Sequence, residues 1–317
     1  MWAAIEHRGL AQEQSGECCT YTQPHRDGID KLASVHRLVN RVANSAPALQ
    51  SAELARFIAK LLLPKLTTTI VCPTIHGYEL SVSPTTGINY YYMGTYEPGT
   101  LHVMDQCLRP GDVFIDAGAS VGQMSLHAAS LVGSKGRVLA FEPETRRYDD
   151  LVRSIDLNNA QNVESFKQAL GDQNDQLQLQ TNAVSPTLRG YDSGSSELVN
   201  VEPLDDCLAR LSINQVRMIK IDVEGFEGRV IKGGERLFRS DAAPIVCFEH
   251  GVYDDEYASV FQLLSEFNDY EYFRLSKTKR YVSNLTGFDV NQKLWRHDNI
   301  FAILPSHIST LPEALFA

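Results

Sequence analysis

Long apolar runs are what this sequence most plainly lacks. No stretch approaches the roughly 18 consecutive apolar residues of a membrane span, and the start, Met-Trp-Ala-Ala-Ile-Glu, has no basic segment leading into an apolar one. A spanning protein and a secreted precursor are therefore not expected. Cysteine is sparse: Cys18, Cys19, Cys72, Cys107, Cys207 and Cys247 include no pair at the two-residue spacing of a zinc or redox motif. Four of them sit in or beside apolar stretches, where buried free thiols are expected, and a reducing, cytoplasmic compartment fits best. There is no Lys/Arg run either, and the formal net charge is -10. Such a chain repels phosphate backbones, so no nucleic-acid partner is expected. Internal repeats and long low-complexity tracts are also missing.

What is there reads as a globular protein. Its 317 residues, 43% hydrophobic and 21% charged, suffice for one large domain with an appendage or for two modest ones. Residues 1–30 are polar and irregular. From Ile29 to Leu63, apolar residues recur at helical spacing (Leu32, Val35, Val39 and Val42, then Leu54, Phe57, Ile58 and Leu61), which predicts two helices separated near Pro47. Thr67–Pro73 and Tyr78–Val82 flank His76-Gly77 as a hairpin. A short helix from about Thr100 leads into Pro110. The organisation is thus a helical extension over 1–66, a hairpin and lead-in over 67–110, and a main domain over 111–317.

From Asp112 onward, strands alternate with helices. Strands are expected over Val113–Asp116, Arg137–Glu142, Val163–Leu170, Glu197–Val201, Val216–Asp222, Ile245–Glu249, Tyr270–Leu275 and Asn299–Leu304. The helices between them are Val121–Val132, Glu144–Leu157, Leu204–Leu211, Glu227–Arg239 and Asp255–Phe267. The Ser/Gly/Pro-rich Ser185–Ser196 reads as an exposed loop. This alternation implies a mostly parallel α/β sheet covered on both faces, and in such sheets ligands bind outside the carboxyl ends of the strands.

The strand tips carry the chemistry. Val113-Phe114-Ile115-Asp116 runs into Ala117-Gly118-Ala119-Ser120-Val121-Gly122, a small-residue turn opening a helix whose first N–H groups are free donors. The dinucleotide fingerprint needs a middle glycine where this chain has Ser120, and Asp116 would repel a pyrophosphate. An acid there suits a ligand with an ammonium and a sulfonium, as S-adenosylmethionine has. Glu142, followed by Pro143, ends the next strand 24 residues after Gly118, near the spacing of a ribose-binding acid. Gln168-Ala169-Leu170 is placed to pass the adenine. Asp222 and Glu224 follow the fourth strand, one beside the cofactor and one toward a substrate. Glu249 and His250 end the fifth, so Glu224, Glu249 and His250 are the candidate bases. No metal ligand is assigned.

Collected, these segments resemble the FkbM-type methyltransferase family. The likeness lies in Gly94-Thr95-Tyr96-Glu97, Pro110–Ala119, Phe141-Glu142-Pro143, Ile219-Lys220-Ile221-Asp222-Val223-Glu224-Gly225-Phe226-Glu227, Gly233-Gly234 and Asp298–Ala302. The resemblance implies a Rossmann-like, seven-stranded class I methyltransferase sheet, S-adenosylmethionine as cofactor, and methyl transfer to a hydroxyl of a small molecule, saccharide or natural product. It implies that Tyr96 and Glu97 help close the cleft. A homodimer is compatible with all of this. The rivals lack their own marks: a short-chain oxidoreductase would carry Tyr-x-x-x-Lys and three glycines, and an N-methyltransferase Asn/Asp-Pro-Pro-aromatic. A non-catalytic cofactor-binding scaffold is opposed only by the clustered strand-tip acids.

Overall fold

The computed structural model describes residues 26–44, 58–181, 195–250, 260–275, 284–292 and 298–317. Three sheets are present among them. An eight-stranded sheet has the order β12-β11-β13-β10-β9-β3-β4-β5. Its strands are β3 (Val113–Ala117), β4 (Arg137–Phe141), β5 (Val163–Phe166), β9 (Met218–Ile221), β10 (Ile245–His250), β11 (Glu271–Leu275), β12 (Leu285–Gly287) and β13 (Asp298–Ile303). A hairpin pairs β1 (Ile70–Pro73) with β2 (Glu79–Val82), and a small sheet has the order β6 (Ala169–Gly171), β8 (Ser196–Pro203), β7 (Asp175–Gln180).

In the large sheet β5, β4, β3, β9 and β10 run parallel, and β13 inserts antiparallel between β10 and β11. The central strands are apolar almost without break because both faces are covered. Ile115, Leu139, Ile219, Ile221, Val246 and Phe248 pack on one face against the helices Leu204–Arg210, Glu227–Gly233 and Val260–Phe267. Phe114, Val138, Ala140, Met218 and Phe301 pack on the other, against Pro98–Cys107 and Gln123–Val132. A third apolar cluster joins helix Arg26–Asn44 and the residues around 58–66 to the hairpin, with Val121 and Leu126 reaching it from the main domain. The hairpin is stitched to helix Thr145–Leu157: Ser81 N–H donates to Ser154 Oγ at 2.9 Å, and Glu79 N–H to Asn158 Oδ1 at 2.9 Å.

Several expectations need correction. The sheet has eight strands rather than seven, because the three residues of β12 add to the edge of β11. Val163–Leu170 is not one strand: the chain leaves the large sheet after Phe166, and Ala169–Gly171 pairs with β8 in the small one. No strand is expected between Leu170 and Glu197, yet β7 lies there. Glu227–Arg239 is two helices, Glu227–Gly233 and Glu235–Phe238, parted at Gly233-Gly234. A Cβ on Gly233 would sit 1.8 Å from the Gly171 carbonyl oxygen, so that helix packs backbone to backbone on β6. Tyr90 and its neighbours form an unanticipated helix, Ile88–Met93. Leu54 and Phe57, most of the Ser185–Ser196 loop, the polar first 25 residues, and the start of the helix expected from Asp255 lie outside the described residues. No helix is long and apolar enough to cross a membrane among the residues described.

Candidate functional site

The carboxyl ends of β3, β4, β9 and β10 open on a cleft of about 510 Å³. Its floor begins at the turn after β3. Gly118 adopts φ +87°, and a Cβ there would lie 2.0 Å from the Asp222 carbonyl oxygen. Only glycine lets the two strand tips approach this closely. Ser120 (φ 51°) and Gly122 (φ 94°) are also left-handed, which turns the chain sharply into helix Gln123–Val132. Asp116, Gly118, Ala119 and Ser120 all line the cleft; Val121 does not, being fully buried in the apolar cluster beneath the hairpin.

Glu142 lines the cleft at the tip of β4, as do Pro143, Ala169 and Leu170 beyond it. Its carboxyl is held from both sides: Ser120 N–H donates to Oε2 at 2.8 Å and Glu144 N–H to Oε1 at 2.9 Å. Burial pushes Glu142 up to about 7 despite the nearby Arg147 guanidinium and those two amides. Leu179 of the small sheet and Phe226 complete this end of the cleft.

At the other end stand Asp222, Glu224 and Glu249, all half-buried. Burial, then the charges of Asp222, Glu97 and Glu224, push Glu249 up to about 8. Glu224 takes a left-handed φ of 54° in a loop tied down by the buried Glu227, whose Oε1 accepts from Val223 N–H and Gly225 N–H at 3.2 and 3.1 Å. His250 does not line the cleft. It sits opposite Asp298 in the β10–β13 pairing, and its ring meets Phe261 edge-on at 4.9 Å.

Glu97 is buried behind the cleft wall rather than on it: Asn299 Nδ2 donates to its Oε2 at 2.7 Å. Tyr96 and Tyr90 do line the wall, with ring centroids 6.0 Å apart. Burial raises both phenols far above their usual range, so both stay protonated.

Three residues of the site have no role assigned from the sequence. Gln123 is fully buried and grips the backbone of Tyr96 at both ends: Tyr96 N–H donates to Oε1 at 2.8 Å, and Nε2 donates to the Tyr96 carbonyl at 2.6 Å. Lys220 is buried at the cleft with its Nζ 2.6 Å from Asp222 Oδ2. Thr86 joins the hairpin to the site region by donating to the buried Asp150 at 2.7 Å. A glutamine in the first turn of a helix reads as surface, and only the lysine left a usable mark, a cation inside an apolar strand.

Parallel strands in the order β5-β4-β3-β9-β10, extended by an antiparallel β13 and then β11, with a glycine turn after β3 and acids at the next tips, define the Rossmann-like class I methyltransferase fold. Residues 116–273 form a domain of the FkbM-type methyltransferase family, since the Methyltransferase FkbM domain matches them. Among solved structures, a methyltransferase FkbM from Methylobacillus flagellatus KT aligns at 16% identity and a TM-score of 0.41, over 87% of this chain and 60% of that one. The chain therefore spans about three fifths of that relative's length. A precorrin-6y C5,15-methyltransferase from Geobacter metallireducens aligns at 12% identity and a TM-score of 0.38, over 65% of this chain and 86% of that one. An rRNA methylase from Streptococcus thermophilus does so at 12% and 0.39, over 64% and 92%. These likenesses are distant, and none of them bears on the acceptor. No curated protein matches the chain.

Proposed function

We propose that the protein is an S-adenosylmethionine-dependent methyltransferase acting on a hydroxyl of a small molecule, saccharide or natural product. The observation that carries this reading is the charge and shape of one cleft. Five carboxyls line it, those of Asp116, Glu142, Asp222, Glu224 and Glu249, against the cations Lys220 and Arg147. Such a cleft favours a cationic ligand over a pyrophosphate. The residues present fit the cofactor: the turn at Gly118 has no room for a side chain, and Glu142 is already aimed by two backbone amides where a pair of ribose hydroxyls can donate. Asp116, Gly118, Ala119, Ser120, Glu142, Pro143 and Asp222 would hold it, with Ala169 and Leu170 beside its base. Val121 and Glu97 would act only by supporting the wall.

When bound, the cofactor supplies an activated methyl on a sulfonium. The protein's own share is to hold the acceptor oxygen in line and to take its proton, and positioning alone is worth about 7–11 kcal/mol of barrier in favourable cases. Of the three candidate bases, Glu249 has the best support: it lines the cleft, and burial together with its acidic neighbours gives it a proton affinity near the working pH. Glu224 is the second candidate. His250 stands behind them against Phe261.

Within this reading, residues 111–317 form the catalytic domain, and the 67–110 segment supplies the wall carrying Tyr90 and Tyr96. Helix Arg26–Asn44 and residues 58–66 pack against the same segment from behind. Calorimetry with S-adenosylmethionine, its demethylated product and NAD tests the proposal. The first two are expected to bind and NAD not to, and Glu142→Ala should weaken binding at least about tenfold, or 1.4 kcal/mol. Absence of binding to folded protein would overturn it. Transfer of label to an rRNA fragment, but to none of a panel of hydroxylated sugars and polyketides, would overturn the acceptor class.

A further inference from the structure

Lys220 occupies the middle of an apolar strand, Met-Ile-Lys-Ile, and is only 4% exposed. The strand register sets it between Asp116 of β3 and Cys247 of β10, so the three side chains project from the same face of the sheet. That face is covered by the helix that begins after Glu97 and by the helix whose Ser125 donates to Asp116 Oδ2 at 2.6 Å. The groups around the ammonium are therefore Asp116, Asp222, Glu97, Glu249, the Cys247 thiol, and the Tyr90 and Tyr96 phenols. Burial raises the thiol and both phenols, which leaves them uncharged at neutral pH. One cation thus faces four carboxyls, one of them at hydrogen-bonding distance.

Burial alone would strip a lysine of its proton. Here the surrounding acids overcome that burial and hold the ammonium's proton well beyond its ordinary range. A lysine that never loses its proton in the working range is not the base of the reaction. Removing it would leave the four carboxyls to repel one another, so the site as a whole would gain affinity for protons.

We propose that Lys220 is a positioning residue whose ammonium fixes the Asp222 carboxylate at the tip of β9 and offsets the mutual repulsion of the acids around it, so that the cleft can receive a cationic ligand. The inference rests on the S-adenosylmethionine reading. With Lys220 neutralised, a cation entering the cleft must first drive protons off the acids, so binding weakens and becomes coupled to proton release.

The test is calorimetry of S-adenosylmethionine binding in two buffers of different ionisation enthalpy, for wild type, Lys220→Met and Lys220→Arg. The difference between buffers counts the protons released. Lys220→Met is expected to bind about tenfold more weakly at neutral pH and to release more protons per ligand than wild type, by about half a proton or more. The gap should narrow as the pH rises. The demethylated product, whose sulfur is uncharged, should change less. Lys220→Arg keeps the charge and should stay near wild type in proton count. An unchanged count and affinity in folded Lys220→Met overturns the role. So does loss of binding in folded Lys220→Arg, a result that stands even where Lys220→Met does not fold. Failure of wild type to bind at all overturns the cofactor reading instead, which keeps the two failures apart.

Discussion

Gly118 illustrates how a single residue fixes the site. Its left-handed φ and the 2.0 Å approach of the Asp222 carbonyl to the position of a Cβ forbid any side chain there. Gly118→Ala should lower stability by about 2 kcal/mol or more, through strain at that φ and displacement of the β9 tip. A melting curve measures the loss, and an unchanged Tm would show that the strand tips have room to part. Glu97, Ser120 and Glu224 hold left-handed backbone without the freedom of glycine. All three lie at or behind the cleft, where stored strain is held by surrounding bonds such as Asn299 to Glu97. For Glu249, the proton affinity predicts the pH dependence of turnover. If it is the base, kcat should rise with pH and level off above about 8, and Glu249→Gln should lose the rising limb together with most of the rate. A rising limb that survives in Glu249→Gln would move the role to Glu224.

At the scale of elements, the wall segment 94–97 depends on a clamp supplied by the helix after the glycine turn. Gln123→Ala leaves both backbone groups of Tyr96 without their partner and should cost about 1–3 kcal/mol. It should also weaken cofactor binding, because the helix that carries the clamp begins at the glycine turn proposed to hold the cofactor. Equal affinity in Gln123→Ala would show the wall to be independent of that turn. The strand-tip acids were legible in the sequence because each ends an apolar run, where a charge has no structural reason to be. Glu142, Asp222 and Glu249 line the cleft accordingly. The small sheet was not legible. Asp175–Gln180 is mostly polar, and Val163–Leu170 looks continuous although its register is broken at Lys167-Gln168. Gln123 and Val121 misled in opposite directions. Both follow the glycine turn, and the three-dimensional packing alone decides that the polar one grips the wall while the apolar one goes beneath the hairpin.

For the whole molecule, the buried acids set how stability varies with pH. Glu142 and Glu227 are pushed to about 7 and Glu249 to about 8, mainly by burial. A carboxyl whose folded value lies above its unfolded one binds protons better when folded, so its contribution fades as pH rises through the folded value. The buried His36 and the half-buried His76 and His307 are lowered by desolvation and act in the opposite sense, but their effect dies away above about pH 6.5. Stability without ligand should therefore fall between about pH 6.5 and about pH 8.5, and Glu227→Gln should flatten the fall. A Tm that rises across that interval would contradict the sign. A cationic ligand should offset the decline, adding about 2.7 kcal/mol when present at 100 times its Kd.

The four thiols buried among the described residues have a further use. Cys207 lies in the apolar layer on one face of the large sheet, Cys107 and Cys247 in the layer on the other, and Cys72 in the cluster beneath the hairpin. Each compartment of the interior thus carries its own chemical clock. An alkylating reagent reaches Cys72 only when the hairpin lifts, and Cys207 or Cys247 only when a helical layer parts from the sheet. Mass-resolved labelling would then report which compartment opens first without any engineered probe.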